Sequence, residues 1–94
     1  MIKVSVLYPK GDDATFDIEC YKTTHMDIVE RTMKPSRIEI DSGQHGPYIA
    51  AGHLYFESPE ALQAALGQNA EATADVPNFT NTTAVTQVSA VFDR

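Results

Sequence analysis

The chain has few of the residues and segments that mark several common classes of protein. It contains one cysteine, Cys20, which excludes an intrachain disulfide bond and gives no sign of an oxidising compartment. No apolar stretch approaches the roughly 20 residues that a membrane-spanning helix needs. The apolar start of the chain is interrupted by Lys3 and Ser5 and stops at Tyr8 and Pro9, which is too short for a signal-peptide core. We therefore expect a cytoplasmic protein that does not enter a membrane.

Basic residues are also scarce. The chain has 7 Lys and Arg against 13 Asp and Glu, a net charge of −6, and its basic residues are scattered along the sequence. Nucleic-acid phosphates and anionic membrane surfaces are bound by clustered cations. The sequence therefore predicts no nucleic-acid partner and no membrane partner, and its acidic balance favours solubility.

Sequence motifs for metals and nucleotides are missing as well. There is no GxGxxG segment and no GxxxxGK[ST] segment of the kind that cradles phosphates. His25, His45 and His53 are too widely spaced for a local metal-binding motif, and Cys20 has no second thiol beside it. We therefore predict neither a metal nor a cofactor.

The hydrophobic pattern predicts a single α+β domain over residues 1–94. The chain is 43% apolar, which is enough for a packed core. Period-two alternation predicts strands, whereas caps and helical periodicity predict two helical regions, the second beginning at Ser58-Pro59-Glu60 and interrupted at Gly67. The predicted strands are 2–8, 37–42, 48–56 and 82–92, and the predicted helical segments are 16–33, 59–67 and 68–75.

This order, β-α-β-β-α-β, is typical of a ferredoxin-like fold. Such a fold has a four-stranded antiparallel sheet with two helices on one face. A sheet face that is exposed to water shows clean polar alternation, and neither face of these strands does. We therefore predict that a second subunit covers the free face, in a homodimer formed by sheet-to-sheet packing.

The helix predicted over 16–33 carries the strongest indication of chemistry. Asp17 is a good N-cap, and Phe16 and Tyr21 have the spacing of a hydrophobic staple. Tyr21 and His25 share the buried face, and histidine suits acid–base work because its ordinary pKa of about 6.5 lies near neutral pH. The alternative is a structural histidine bonded to a backbone carbonyl beside a tyrosine that only packs. The residues predicted on the buried face are Ile18, Tyr21, His25, Ile28, Val29 and Thr32.

Three further residues are candidates for substrate contact. His53 lies in the middle of a strand, and it converges with His25 if its sheet face meets the helices. If that face meets the dimer interface, His53 is a buried residue with hydrogen-bonding partners. Asn78 and Phe79 follow the second helical region, where a loop would close a pocket, although asparagines in such loops more often stabilise turns.

Three stretches of the sequence together resemble the EthD family. They are Phe16-Asp17 with Tyr21 and His25, the run GHLYF from Gly52 with Ser58, and the run DVPNFTN from Asp75. The resemblance implies a dimeric α+β barrel built from one EthD-like domain. The family is named for a small protein encoded with an ether-degrading cytochrome monooxygenase system, and its wider superfamily includes cofactor-free monooxygenases, muconolactone isomerases and polyketide cyclases.

Together, the residues and the resemblance lead to two hypotheses about function. In the first, a pocket between helix 16–33 and the sheet binds a small hydrophobic oxygenated catabolite, and His25 moves a proton without a metal. The reaction would be that of an isomerase, a cyclase or a cofactor-independent monooxygenase. In the second, the chain is a non-catalytic binder or an accessory protein of a degradation pathway. In the first hypothesis the residues that contact the substrate are Tyr21, His53, Asn78 and Phe79.

Overall fold

The computed structural model describes residues 1–94 and contains four β-strands and four α-helical segments. A π-helical turn, Tyr21–His25, joins the first two helices, and a 3-10 turn, Val76–Asn78, follows the last one. The bounds of the strands and helices, in chain order, are β1 Ile2–Pro9, α1 Ile18–Cys20, α2 Met26–Met33, β2 Arg37–Ser42, β3 Tyr48–Phe56, α3 Pro59–Leu66, α4 Ala70–Asp75 and β4 Val85–Ala90.

The four strands form one antiparallel sheet in the order β2-β3-β1-β4. The central strand β1 pairs with β3 on one side and with β4 on the other, so that Val4 lies opposite both Leu54 and Val88. The helices cover the sheet face that carries Val4 and Leu54, both of which are buried. The predicted ferredoxin-like α+β fold is confirmed.

The start of the first helix follows the predicted local pattern. The Asp17 carboxylate accepts a hydrogen bond from the Cys20 amide at 3.0 Å, and the rings of Phe16 and Tyr21 pack with their centroids 5.0 Å apart. The end of α2 is also as predicted. Lys34 adopts a left-handed conformation with φ of 53° immediately before Pro35, and this ends the helix at Met33.

The interior of this helix differs from the prediction. A uniform α-helix would place Ile28 and Thr32 on the buried face. In the structure Met26 is buried, and Ile28 is only half-buried. The π-helical turn inserts one residue, and this rotates the following residues around the helix axis so that the buried face is shifted by about one position.

Two other predicted boundaries need correction. The last strand is Val85–Ala90, shorter than 82–92, because its ladder with β1 runs only from the pair Leu7 and Val85 to the pair Ile2 and Ala90. One further hydrogen bond joins the Val91 amide to the Met1 carbonyl. The segment Val76–Asn78, which the sequence pattern assigned to a loop, forms a 3-10 turn that continues from α4. The predicted interruption of the second helical region at Gly67 is present.

A single hydrophobic core lies between the helices and the sheet. It combines aliphatic side chains of the sheet and helices with a group of aromatic rings at one end. The buried residues of this core are Val4, Tyr8, Tyr21, Met26, Val29, Leu54, Phe56, Leu62, Ala65, Ala72 and Phe79.

The opposite face of the sheet is covered by no other part of the chain, and we call it the open face. Successive residues of each strand point alternately to the core face and to the open face. Leu7 and Val85, which pair across β1 and β4, both point to the open face. None of the helices in the structure is long and apolar enough to cross a membrane. The paired residues of the four strands that point to the open face are Lys3, Ser5, Leu7, Arg37, Glu39, Asp41, Ala51, His53, Tyr55, Val85, Gln87 and Ser89.

Candidate functional site

A cavity of about 210 Å³ lies between the helices and the core face of the sheet. Most of its lining is apolar and comes from β1, β3, α2, α3 and α4. Such a cavity, with a few polar groups in an apolar wall, is the usual form of a small-molecule site. The polar or hydroxyl-bearing residues of the lining are Tyr8, Tyr21, His25, Asn69, Thr73 and Thr86.

His25 lies at the end of the π-helical turn, where the chain directs it into the core. Its side chain is 8% exposed, and its Nδ1 atom lies 2.9 Å from Oδ2 of Asp75. An imidazole that donates its Nδ1 proton to a carboxylate keeps a lone pair on Nε2. The arrangement therefore orients one ring nitrogen and leaves the other able to accept a proton from a ligand.

Asp75, the last residue of α4, is held in its ionised form. Its Oδ1 atom accepts a hydrogen bond from the Asn78 amide at 2.9 Å. This bond, together with the contact to His25, lowers the pKa of Asp75 below its ordinary value even though burial opposes the shift. A carboxylate that stays charged at neutral pH is a suitable partner for His25 whether or not the imidazole is protonated.

Aromatic rings fix the position of the imidazole. Tyr21 stacks on His25 with centroids 5.3 Å apart and an interplanar angle of 13°, and Phe79 meets the ring edge-on at 4.6 Å. Both aromatic side chains are buried. Packing and the Asp75 contact together restrict His25 to one orientation, which proton transfer requires.

Tyr21 and Tyr8 contribute hydroxyl groups to the same cavity. Their exposed fractions are 1% and 2%, and their ring centroids are 5.5 Å apart. Burial, followed by the neighbouring Tyr8, raises the pKa of Tyr21 far above its ordinary value. Tyr21 is therefore a neutral hydroxyl that can donate a hydrogen bond, and it does not act as a base. Gly52 makes room for this hydroxyl, because a Cβ atom there would overlap it.

The structure brings four of the five predicted site residues into one region. His25 and Tyr21 line the cavity, Phe79 packs behind them, and Asn78 holds Asp75. The roles of the last two are therefore indirect in the structure. Phe79 supports the rings and Asn78 bonds to the carboxylate, and neither lines the cavity.

The fifth predicted residue, His53, lies on the open face and does not converge with His25. Its Nδ1 atom is 2.9 Å from the Ser5 hydroxyl, and its Nε2 atom is 2.8 Å from a carboxylate oxygen of Asp41. The reason is the alternation of β3, in which Gly52 and Leu54 face the helices and His53 between them faces the other way. Of the two alternatives left by the sequence, the structure shows the residue with its own hydrogen-bonding partners.

Two residues of the site were missed by the sequence analysis. Asp75 belongs to the DVPNFTN run that carried the resemblance, and Tyr8 has the strand parity of the buried Val4. Neither is near His25 in the sequence, so no local spacing indicated them. No group of three or more His, Cys, Asp or Glu side chains is arranged to hold a metal ion.

Known structures provide the family of the chain. No protein-family model matches it, and neither does any curated protein. It is similar to an EthD-like protein from Ralstonia eutropha JMP134, with 30% identity and a TM-score of 0.87 over 99% of this chain and 94% of that chain. A structure of an ethyl tert-butyl ether d (EthD) family protein from Bacillus halodurans C-125, 16% identical over 98% of this chain and 99% of that one, has the same fold with a TM-score of 0.76. Because the first similarity extends over nearly the whole of both chains at 30% identity, the chain belongs to the EthD family.

Proposed function

We propose that the protein binds a small, mostly apolar, oxygenated molecule in the cavity and that His25 moves a proton on it without a metal. The observation that carries this proposal is the His25–Asp75 pair at the wall of an apolar cavity. An oriented imidazole beside a buried carboxylate is an effective general base. Isomerisation, cyclisation and cofactor-independent oxidation share a step of this kind, in which a proton leaves an activated C–H or O–H group.

The roles of the individual groups follow from their hydrogen bonds. Asp75 accepts a hydrogen bond from the Nδ1–H group of His25 and stabilises the imidazolium that forms when Nε2 takes a proton from the ligand. Tyr21, which stays neutral, lines the cavity and packs against the imidazole of His25. Membership of the EthD family favours a degradation pathway in the cytoplasm as the setting and an oxygenated catabolite as the ligand.

The test uses phenylacetone, a small aromatic ketone with exchangeable protons beside its carbonyl group. In deuterated buffer, NMR should show that the wild-type protein accelerates exchange of these protons. In His25→Ala the acceleration should be smaller by a factor of at least about 100, which is the scale of general-base catalysis. His45→Ala, at an exposed loop histidine, should retain it. Exchange at the wild-type rate in His25→Ala would contradict the proposal.

A second function, a non-catalytic binder or accessory protein, is favoured by one observation. His25 is 6% exposed and packed between Tyr21 and Phe79, which also suits a purely structural histidine. In that case the wild-type protein binds phenylacetone in calorimetry without accelerating exchange, and His25→Ala lowers the thermal midpoint without removing any activity. The exchange experiment therefore separates the two functions.

We also propose that a second copy of the chain covers the open face, forming a sheet-to-sheet homodimer. Two apolar side chains on that face, Leu7 and Val85, have no covering element in the chain, and Val85 is 48% exposed. Burial of this surface would add to the stability of a small domain at roughly 25 cal/mol per Å². The EthD resemblance independently implies a barrel of two subunits.

Two valines of β4 offer a matched test of the dimer. Val85 points to the open face and Val88 to the opposite one, with similar exposures of 48% and 56%. Light scattering should give twice the 10.3 kDa of one chain for the wild type and for Val88→Lys, and close to one chain for Val85→Lys. A wild-type particle of 10.3 kDa at micromolar concentration would exclude the dimer.

A further inference from the structure

Tyr8 is a buried tyrosine whose hydroxyl the proposed proton transfer does not yet use. It lies on the core face of β1, is 2% exposed and lines the cavity together with Tyr21. A phenylalanine would supply the same ring and the same contacts with Phe16 and Phe79 without burying a hydroxyl group. Because burial of a polar group is unfavourable unless it is hydrogen-bonded, the position of this hydroxyl calls for a partner.

The hydroxyls of Tyr8 and Tyr21 carry one proton each and line the same cavity. The rings of Tyr8 and Tyr21 meet edge to face with their centroids 5.5 Å apart, and burial raises the pKa of both hydroxyls, so each keeps its proton at neutral pH. One hydrogen bond between two hydroxyls uses one of their two protons. At least one proton of the pair is therefore left to donate into the cavity that both side chains line. The cavity therefore contains a hydrogen-bond donor that a ligand oxygen would satisfy.

The charge of the site restricts the ligand further. No lysine or arginine lines the cavity, and the ionised Asp75 lies behind His25. A carboxylate or phosphate would enter without a counter-ion and near a like charge, which is unfavourable in an apolar wall. A neutral oxygen, as in a phenol or a ketone, meets no such penalty.

The volume of the cavity indicates the size of the ligand that it suits. A volume of about 210 Å³ equals that of about seven water molecules at about 30 Å³ each. This is room for one six-membered ring with one or two small substituents.

We propose that Tyr8 and Tyr21 form an oxygen-binding subsite, in which Tyr8 donates to the oxygen of a small phenol or ketone and Tyr21 supports Tyr8. This inference rests on the proposed function of the cavity and specifies its ligand class. With a ketone, His25 takes the proton from the carbon beside the carbonyl group. The electron pair of the broken C–H bond forms the enolate, whose oxygen accepts the Tyr8 hydrogen bond. Donors placed where negative charge develops favour this step.

The test compares p-cresol with p-xylene, which have nearly the same shape and differ in a hydroxyl in place of a methyl group. Calorimetry should show that the wild-type protein binds p-cresol more tightly than p-xylene. Tyr8→Phe should weaken the affinity for p-cresol about tenfold, which is the effect of one hydrogen bond of ordinary strength. The affinity for p-xylene should not change. Tyr48→Phe, a half-buried tyrosine outside the cavity, is the matched control and should change neither affinity.

The outcomes separate this inference from the function on which it rests. If the wild-type protein binds p-cresol no more tightly than p-xylene, or Tyr8→Phe binds p-cresol as the wild type does, the oxygen subsite is wrong while the ligand cavity stands. If the wild-type protein binds neither probe nor phenylacetone, the ligand-binding function falls and the inference falls with it. The wild-type comparison does not depend on how well Tyr8→Phe folds.

Discussion

Replacement of Phe79 by alanine should lower the free energy of unfolding by about 3–5 kcal/mol. Phe79 is 3% exposed and its ring contacts those of Tyr8, Phe16, Tyr21 and His25, with centroid distances between 4.6 and 5.7 Å. Its removal would leave a cavity at the centre of this aromatic group. A domain of this size has a total stability on the order of 5–10 kcal/mol, so this substitution would remove a large fraction of it.

Phe92 provides the matched control for this substitution. It is 86% exposed near the end of the chain, and Phe92→Ala should change the free energy of unfolding by no more than about 0.5 kcal/mol. Urea denaturation of the two variants and the wild type measures the difference directly. Equal effects of the two substitutions would show that the aromatic group is not the structural centre of the site. In that case Phe79 would again be a candidate for ligand contact.

Replacement of Asp75 by asparagine should lower the free energy of unfolding at neutral pH by about 1.5–3 kcal/mol, the value of hydrogen bonds to a charged group. The carboxylate accepts from Asn78 at one oxygen and from His25 at the other. An asparagine in the same place presents an amide nitrogen to one of these donors. The variant should also lose most of the exchange activity proposed for His25, because the imidazole loses the group that orients it.

The effect of Asp75→Asn on stability should depend on pH in a defined direction. The pKa of Asp75 is lower in the folded protein than its ordinary value of 3.8, so its contribution is present at pH values above 3.8. It disappears as the pH falls through the lower pKa of the folded state, where the carboxyl group becomes protonated. The free energies of unfolding of the wild type and the variant should therefore differ most near pH 7 and become nearly equal in strong acid.

Asp12→Asn controls for the change in net charge. Asp12 is exposed in the loop before α1 and makes no side-chain hydrogen bond or ion pair. Urea denaturation at a series of pH values should show a small difference from wild type that does not follow the pattern of Asp75→Asn. If the difference in unfolding free energy between the wild type and Asp75→Asn does not change with pH, the Asp75 carboxylate is not held ionised by Asn78 and His25.

Local sequence patterns predicted most of the architecture. The cap at Asp17, the staple of Phe16 with Tyr21 and the stop before Pro35 act within one or two turns of helix, so residue spacing indicates them directly. The same holds for the start of α3, where the Ser58 hydroxyl accepts from the Ala61 amide at 3.1 Å. The π-helical turn escaped prediction because its only local mark is a shift of one residue in the buried pattern.

The candidate site was predictable only in part. His25 and Tyr21 were predicted because the helical period of the apolar residues indicates which side chains share the buried face of a helix. Asp75 was not found, because it lies 50 residues from His25 in the sequence and meets it only when α4 packs beside α2. Tyr8 comes from β1 and meets Tyr21 only across the core, so no sequence spacing indicates the contact between them.

By itself, the sequence determined the order of strands and helices, their principal caps and the burial of His25, because these depend on neighbours within a few residues. Tertiary structure alone decided which residues meet His25 and which side of the sheet His53 faces. The physical reason is that the alternation along β3 specifies two faces without saying which one the helices will cover. That choice is made by packing between distant segments, and it places His53 against Ser5 and Asp41. It leaves Tyr8, Tyr21 and His25 around the cavity, with Asp75 behind His25.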